Sequence, residues 1–348
     1  MKLVLSQEQR ELRAAVRSFL AAASPLPKVR QGYDPEVYTR LNGELGLSGL
    51  IVPEEYGGAG AGFADLAVVL EETGAALLPG PFLATTFAAI ALTRMPDKEL
   101  LSGIAEGRIA ATLAQPPVGA ELTAEVVGES AAITGTLAQV LSGMEADVLV
   151  VPARTGDGVL MVAVDLAGEG VTRTPLDTLD ITRGQARIAL AGARARVLGV
   201  SPEGGVGERL SVALAAEQLG VMRAALDAIV AYAKVRVAFG RYIGSYQGVK
   251  HKLADMHCKL EQAESIVRYA AWAADEAPAE LAEAAALAQA YVGRACFEVA
   301  RDHLLLFGGI GYTWEHDAHL FYKRAKTDEV LLGPPRTHRA RLAELLEL

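Results

Sequence analysis

Apolar positions follow a helical rhythm at both ends of the chain and a strand-like rhythm in the middle. Ser6 precedes Gln7, Glu8 and Gln9, which predicts an N-cap with Gln9 completing a capping box. Leu12, Ala15, Val16 and Leu20 then share one face at helical spacing. A second helical segment runs from Tyr38 to Leu47, after which Pro53 and the glycines Gly57, Gly58, Gly60 and Gly62 break the chain. Asp65 to Gly74 begins another helix, Pro79 and Pro81 bound a loop, and Thr85 to Thr93 and Lys98 to Gly107 supply two more. From Ile109 onward the runs AATLAQ, EVVGES, AAITG, DVLVVPAR and GVLMVAVD are short, rich in Val, Ile, Leu and Thr, and separated by Gly, Pro and Asp. That spacing predicts a small antiparallel barrel or sandwich. Helical spacing returns at Leu219, Met222, Leu226, Ile229 and Ala233, a stripe suited to a bundle. Another helix carries Leu253, Met256, Leu260, Ala263, Ile266 and Val267, and a third runs from Ala277-Pro278 through Gln289 and Cys296 to Leu306. The pattern reads as an α+β chain, mainly α. An N-terminal helical domain covers 1–108, a middle β domain 109–203, and a C-terminal four-helix bundle 204–348.

Composition narrows the function classes. At 348 residues, 51% hydrophobic and 22% charged, the chain can bury a large core in two or three domains. Its 33 Lys and Arg against 42 Asp and Glu give a net charge of -9, which predicts no general attraction to nucleic acid or to an anionic membrane. The apolar run at the start is too short for a secretory signal, and no stretch reaches the ~18 to 20 apolar residues of a membrane span. Cys258 and Cys296 both fall in helical patterns without metal-ligand spacing. They read as buried thiols in a reducing cytoplasm. His316 and His319 stand three apart in a helical pattern, but no third ligand lies nearby, so they read as surface or interface histidines and no metal is expected.

The most informative stretch is RVAFGRYIGSYQ, residues 236–247, which follows a long apolar helix. A guanidinium fork such as that of Arg236 binds two phosphate oxygens at once, in a geometry a lysine does not match. Arg236, Phe239-Gly240 and Gln247 form R-x-x-F-G followed by Gln. LGLSGLIVPEEYGGAG lies upstream, a Q-x-x-x-K-x-x-L-A-D-M helix begins at Gln247, and LFGGIGY ends at Tyr312. In this order the segments resemble the acyl-CoA dehydrogenase family, flavoenzymes that oxidise an acyl thioester between Cα and Cβ. The resemblance extends over nearly the whole chain. It implies that Arg236, Phe239, Gly240 and Gln247 hold the pyrophosphate and ADP half of a neighbouring subunit's FAD. It further implies that the Gly308, Gly309, Gly311 and Tyr312 loop approaches the adenosine end, where the missing side chains let backbone come close. GGIGYTWEHDAHL with KRAK is similar to a subgroup that includes two-subunit mycobacterial acyl-CoA dehydrogenases of steroid side-chain breakdown, in which one short subunit lacks the base.

Departures from the family pattern matter as much. Relatives end their first middle-domain strand in T-E-P-x-x-G-S-D, whereas this chain has Ala114-Gln115-Pro116-Pro117-Val118-Gly119. Relatives also place a Trp and a Thr against the flavin ring, but no tryptophan precedes Trp272 here, so the middle domain reads as a weak flavin site. Leu305 stands where relatives usually have Gln. The reaction needs a carboxylate to take the α-proton while the flavin accepts the β-hydrogen. The two positions at which relatives carry that Glu are Leu332 and Leu210, and a leucine accepts no proton. Glu208 is turned by roughly 200° from Leu210 on a helix. Glu217 shares its face but lies ~10 Å along the axis, and Glu329 precedes Leu332 by three residues. Each of these acids reads as a solvated or interface charge.

Three readings stay open. The chain is the non-base-bearing subunit of a hetero-oligomer, lending its clamp to the FAD of a catalytically complete acyl-CoA dehydrogenase partner that works on an acyl-CoA. Alternatively it is a homomeric FAD enzyme with Glu217 or Glu208 as a relocated base, or else a non-catalytic acyl-thioester-binding scaffold.

Overall fold

The computed structural model describes residues 3–114, 122–200 and 204–348. Its helices, in chain order, are α1 (Gln7–Ala23), α2 (Leu26–Val29), α3 (Pro35–Leu45), α4 (Phe63–Ala75), α5 (Phe82–Leu92), α6 (Lys98–Ala105), α7 (Val206–Val235), α8 (Gln247–Glu276), α9 (Leu281–Phe307), α10 (Ala318–Leu331) and α11 (Pro335–Leu345). The strands are β1 (Ala111–Leu113), β2 (Thr123–Val127), β3 (Ser130–Leu141), β4 (Val148–Thr155), β5 (Gly158–Asp165), β6 (Val171–Pro175), β7 (Gln185–Val200), β8 (Val237–Ala238) and β9 (Arg241–Tyr242). The fold is mainly α, as the periodicity predicts. Contacts group the chain into two compact units, one of residues 1–31, 62–78 and 207–348, the other of 32–61 and 79–206.

In the second unit the sheet closes on itself. β4 reaches β2 through one parallel pair, β2 pairs β3, β3 pairs β7, β7 pairs β5, and β5 returns antiparallel to β4. Closure removes the exposed edges that an open sheet of this size would present. Alternation along each strand separates two cores. Leu149, Val151, Val162, Val164, Ile188 and Leu190 fill the interior, while Val150, Met161 and Ala163 point outward and pack with Leu92, Leu101 and Ile104 of α5 and α6. β4 is therefore apolar on both faces, which explains its unbroken run Val148 to Val151. Two strands depart from expectation. β3 runs straight through Gly135, where the pattern suggested a break, and β7 is a 16-residue strand built largely of Ala and Arg. Neither residue favours strands intrinsically. β7 is held by partners on both sides, β3 along most of its length and β5 and β6 on the other.

The first unit is all helix apart from a two-stranded ribbon. The capping box at Ser6 forms as predicted: the Gln9 amide donates to the Ser6 hydroxyl at 3.1 Å, and the Ser6 amide donates to Gln9 Oε1 at 3.0 Å. On α1 the buried face is Val16, Phe19 and Leu20, whereas Ala15 is exposed. The stripe Leu219, Met222, Leu226, Ile229 and Ala233 on α7 is buried throughout. Cys296 is buried, but Cys258 is exposed, against expectation. Cys258 lies two residues from both Met256 and Leu260, so it is turned by roughly 200° from the face they bury.

α4 and α7 cross in very close contact. A methyl group added at Gly220 would lie 1.8 Å from the Glu71 carbonyl oxygen, and one at Gly74 would lie 2.1 Å from that of Glu217. Buried charges flank this crossing. Glu71 meets Arg268 of α8 and receives a 2.9 Å hydrogen bond from Arg13 of α1, while Arg17 grips Glu72 with two bonds of 2.8 Å. Burial pushes the Glu71 carboxyl up, against the pull of Arg268, Arg13 and Arg223. Because the groups facing Gly220 are backbone, they cannot swing aside. Gly220→Ala is expected to destabilise the protein by about 3 kcal/mol or to prevent folding, the upper range for forcing a methyl into a packed contact. A thermal or urea unfolding curve that coincides with that of the unsubstituted protein would contradict the backbone contact.

Candidate functional site

The motif R-x-x-F-G folds as a hairpin tip. Val237 pairs with Tyr242 and Ala238 with Arg241, leaving Phe239-Gly240 as the two-residue turn. Both turn residues have positive φ, 51° for Phe239 and 78° for Gly240. A two-residue hairpin favours that geometry, and glycine adopts it freely, but phenylalanine does so at a cost of about 1 kcal/mol. The Phe239 side chain does not recover this cost by burial, because it is 97% exposed. A strained, solvent-facing aromatic makes Phe239 a candidate functional position. The Tyr246 hydroxyl donates to the Ala238 carbonyl at 2.9 Å, and the Arg241 guanidinium lies 3.8 Å from the Tyr246 ring centroid.

Arg236 begins this hairpin. Its backbone carbonyl accepts from Ile243 at 2.8 Å, and its exposed guanidinium has no partner among the described residues. Gln247 is the first residue of α8, a helix of 30 residues whose N-cap, Tyr246, makes no side-chain capping bond. The first amides of a long helix carry a partial positive charge and want an acceptor. An open guanidinium and, eleven residues on, an uncapped helix N-terminus make this segment a candidate anion site. The sequence pattern singles out Arg236 and Gln247 as candidates but does not single out the helix terminus. The signal was present in Tyr246, since no Ser, Thr, Asp or Asn stands at the cap.

The second predicted segment comes to the same end of this helical unit. Gly308 ends α9 with φ 70° and ψ -148°, a conformation that glycine alone adopts readily. Gly309 has open space beside it, whereas a methyl group added at Gly311 would lie 2.7 Å from the Leu304 carbonyl oxygen. Phe307, the residue before Gly308, has its ring 4.6 Å from that of Tyr232, and the Arg236 amide donates to the Tyr232 carbonyl at 2.9 Å. Hairpin and glycine loop are thus joined by one aromatic contact. His303 lies behind it between Phe307 and Phe321, and burial pushes its imidazole down to about 3, so it sits there neutral. Leu305 is half exposed.

His316 is not on a helix with His319, as the spacing suggested. It precedes α10, where its Nδ1 accepts from the Ala318 amide at 3.0 Å, while His319 is buried in the first turn. Among the described residues no group of three or more His, Cys, Asp or Glu is placed to hold a metal ion.

The positions for a base offer no free carboxylate. Leu210 is buried in α7, and Leu332 caps α10 with its carbonyl 3.1 Å from His338 Nε2. Glu217 is not a solvated charge: it is 2% exposed and lies 3.3 Å from Arg324, which is itself fully buried and also donates to the carbonyls of Leu77 and Leu78. Removing either member of such a pair costs about 3 to 5 kcal/mol, so Glu217 is a structural acid. Glu329 is likewise buried and paired, with Lys326 at 2.6 Å and Arg294 at 3.5 Å. Glu208 is half-buried in the first turn of α7.

On the strand that runs on from Gly135, the exposed side chains are Thr136, Ala138 and Gln139, none of them aromatic. Gln115 to Gly119, where the flavin-holding loop of relatives is replaced, lies outside the described residues. No helix among the described residues is long and apolar enough to cross a membrane.

Comparison with known proteins agrees with this architecture. Residues 6–100 match the family model of the acyl-CoA dehydrogenase N-terminal domain, and residues 207–346 that of the C-terminal domain. The acyl-CoA dehydrogenase IpdE2 of Mycolicibacterium smegmatis is 35% identical over 344 residues, covering 97% of this chain and 98% of that protein. Among solved structures, a variant of the steroid acyl-CoA dehydrogenase Tcur3481-Tcur3483 is 30% identical with a TM-score of 0.88 and covers 98% of both chains. The ChsE4-ChsE5 complex from Mycobacterium tuberculosis is 27% identical with a TM-score of 0.90, covering 100% of this chain and 99% of its counterpart. By matched family segments, by full-length identity and by fold, this chain is a member of the acyl-CoA dehydrogenase family.

Proposed function

We propose that this chain is the ADP-clamping, base-lacking subunit of a two-chain acyl-CoA dehydrogenase. It takes part in FAD-dependent α,β-desaturation of an acyl-CoA while a different chain supplies the proton-abstracting carboxylate. One observation carries the reading. An exposed Arg236 with no partner among the described residues and an uncapped helix terminus stand ready for a dinucleotide, in a chain whose two base positions are both leucine. Keeping the clamp without the base makes sense where two kinds of chain share one site. The relatives agree in kind, since ChsE4-ChsE5 is a complex by name and Tcur3481-Tcur3483 is described as a steroid acyl-CoA dehydrogenase. A bulky, polycyclic acyl thioester is accordingly the proposed substrate class.

FAD fits the donor set present here. Arg236 would fork onto its pyrophosphate, the first amides of α8 and the Gln247 side chain would meet the same group, and Phe239 and the Gly308 to Gly311 backbone would flank the adenosine side. Bound FAD supplies the hydride acceptor for desaturation. This chain's residues hold the dinucleotide and exclude water from it, and the α-proton leaves to a glutamate of the partner. The homomeric alternative loses its better base, because Glu217 is committed to Arg324 within the helical unit.

Affinity capture of the tagged chain from its native cells tests the reading. The expected product is a yellow complex with a second, different acyl-CoA dehydrogenase chain, while the chain purified alone is pale. Recovery of a yellow homo-oligomer would contradict it.

Within that complex, Arg236→Lys is expected to lower FAD retention about tenfold, the loss of one bidentate charge-assisted contact of roughly 1.4 kcal/mol. Circular dichroism should be unchanged. FAD content after gel filtration provides the check, and full retention would mean that Arg236 is an ordinary surface residue.

Leu332→Glu in the isolated chain is expected to give no acyl-CoA oxidation with a ferrocenium acceptor, because restoring a base restores no flavin-holding residues. Measurable turnover would show that the missing base is the chain's only defect.

A further inference from the structure

Beyond the family motif, Trp314 is held on the surface in a way its own exposure does not explain. It is 66% exposed, yet it is fixed from three directions. Arg30 donates to its backbone carbonyl and, at 2.6 Å, to Asp317. His319 meets the indole edge-on with centroids 4.9 Å apart, and Lys323 Nζ stands 4.1 Å from the ring centroid. Exposed tryptophans are expensive to leave in water, and fixing one adds the loss of its rotamer freedom. A flat, immobilised aromatic of this kind is what an incoming planar group stacks on.

The position of the indole limits what that group is. Trp314 lies on the segment that continues the Gly308 to Tyr312 loop, with Thr313 bonded back to the Ile310 carbonyl through both its amide at 3.1 Å and its hydroxyl at 2.9 Å. His316 then packs its ring 4.2 Å from that of Phe307. The same Phe307 joins the loop to the Arg236 hairpin through Tyr232. Leu305, at 51% exposure, offers no hydrogen bond on this side. A pinned, exposed indole beside a lysine cation, five residues beyond the open glycine backbone of Gly309, suits a nucleobase better than an apolar protein side chain. The groups against the indole are the His319 ring and the Lys323 cation, and Arg30 holds the backbone beneath it, polar company that suits a nucleobase more than an apolar protein anchor.

The geometry points to Trp314 as the stacking platform for the adenine of the FAD that this chain clamps, with Lys323, His319 and Arg30 positioning the indole. The assignment rests on the shared-FAD reading above and adds to it a residue that the family motif does not contain. Stacking replaces hydrogen bonding as the means of holding the adenosine end, which accounts for the tolerance of leucine at position 305.

The test uses the complex captured with its partner chain, stripped of flavin and titrated with FAD and, separately, with ADP. With Trp314→Ala, both affinities are expected to fall by tenfold or more, the usual value of one base-aromatic stack. Trp314→Phe is expected to recover most of each, since a single ring still stacks. The chain has only two tryptophans, so indole emission supplies an independent readout. The quenching that ADP causes should persist in Trp272→Phe and lose this chain's contribution in Trp314→Phe. Unchanged FAD and ADP affinities in Trp314→Ala would overturn the assignment. So would dissociation of the two chains in Trp314→Ala on analytical ultracentrifugation, which would make the indole a protein anchor instead. A captured complex in which Arg236→Lys and Trp314→Ala both leave flavin binding untouched would remove the shared-FAD reading along with the platform. Loss with Arg236→Lys alone would remove only the platform.

Discussion

The close crossing of α4 and α7 is the constraint on which the helical unit depends. At Gly74 and Gly220 the two backbones approach until no side chain fits between them, and on either side lie the buried carboxylates Glu71 and Glu217. Neither acid could be buried alone. Glu71 is answered from α1 by Arg13 and from α8 by Arg268, and Glu217 from α10 by Arg324. Helices distant in sequence are thus tied to one crossing by charge as well as by packing. The carboxylate that shares a helix face with the base position Leu210 is occupied for the same reason: Glu217 holds the helices together, and its partner Arg324 also secures the carbonyls of the turn after α4.

From that crossing α7 continues for four helical turns to the Arg236 hairpin. A rigid helix is a suitable support for a contact that must be made in a fixed place. At the hairpin the logic of the structure reverses. At the crossing Arg268 and Arg324 are buried and paired, whereas Arg236 is exposed and has no partner among the described residues, Phe239 is strained and exposed, and α8 starts without a side-chain cap. The strained Phe239 and the uncapped start of α8 cost stability, and both lie close to Arg236 along the chain. Features of that kind are retained where a ligand or partner completes them.

Much of this was legible in the sequence, and the failures have physical causes. The capping box at Ser6 and Gln9 and the buried stripe from Leu219 to Ala233 depend on local spacing, which a sequence displays directly. β7 was not legible, because its Ala and Arg residues become a strand only when β3, β5 and β6 pair with them. Cys258 was misplaced because a helical pattern shows which residues are periodic before it shows which face is covered. For Glu217, position along the helix showed the face but not Arg324, whose partnership is more than a hundred residues distant in the chain. Arg236 and Gln247 are candidates for a clamp through the resemblance to the family. The left-handed Phe239 and the bare terminus of α8, which give those residues their physical meaning, belong to the backbone.

The central claim is that this chain clamps a flavin belonging to a different chain. Native mass spectrometry of the intact assembly, with FAD counted against each type of chain, addresses it most directly. Equal numbers of the two chains and one FAD for each pair are expected, because only one of the two composite sites in a pair combines a good clamp with a good ring site. One FAD per copy of this chain in an assembly containing no second kind of subunit would contradict it.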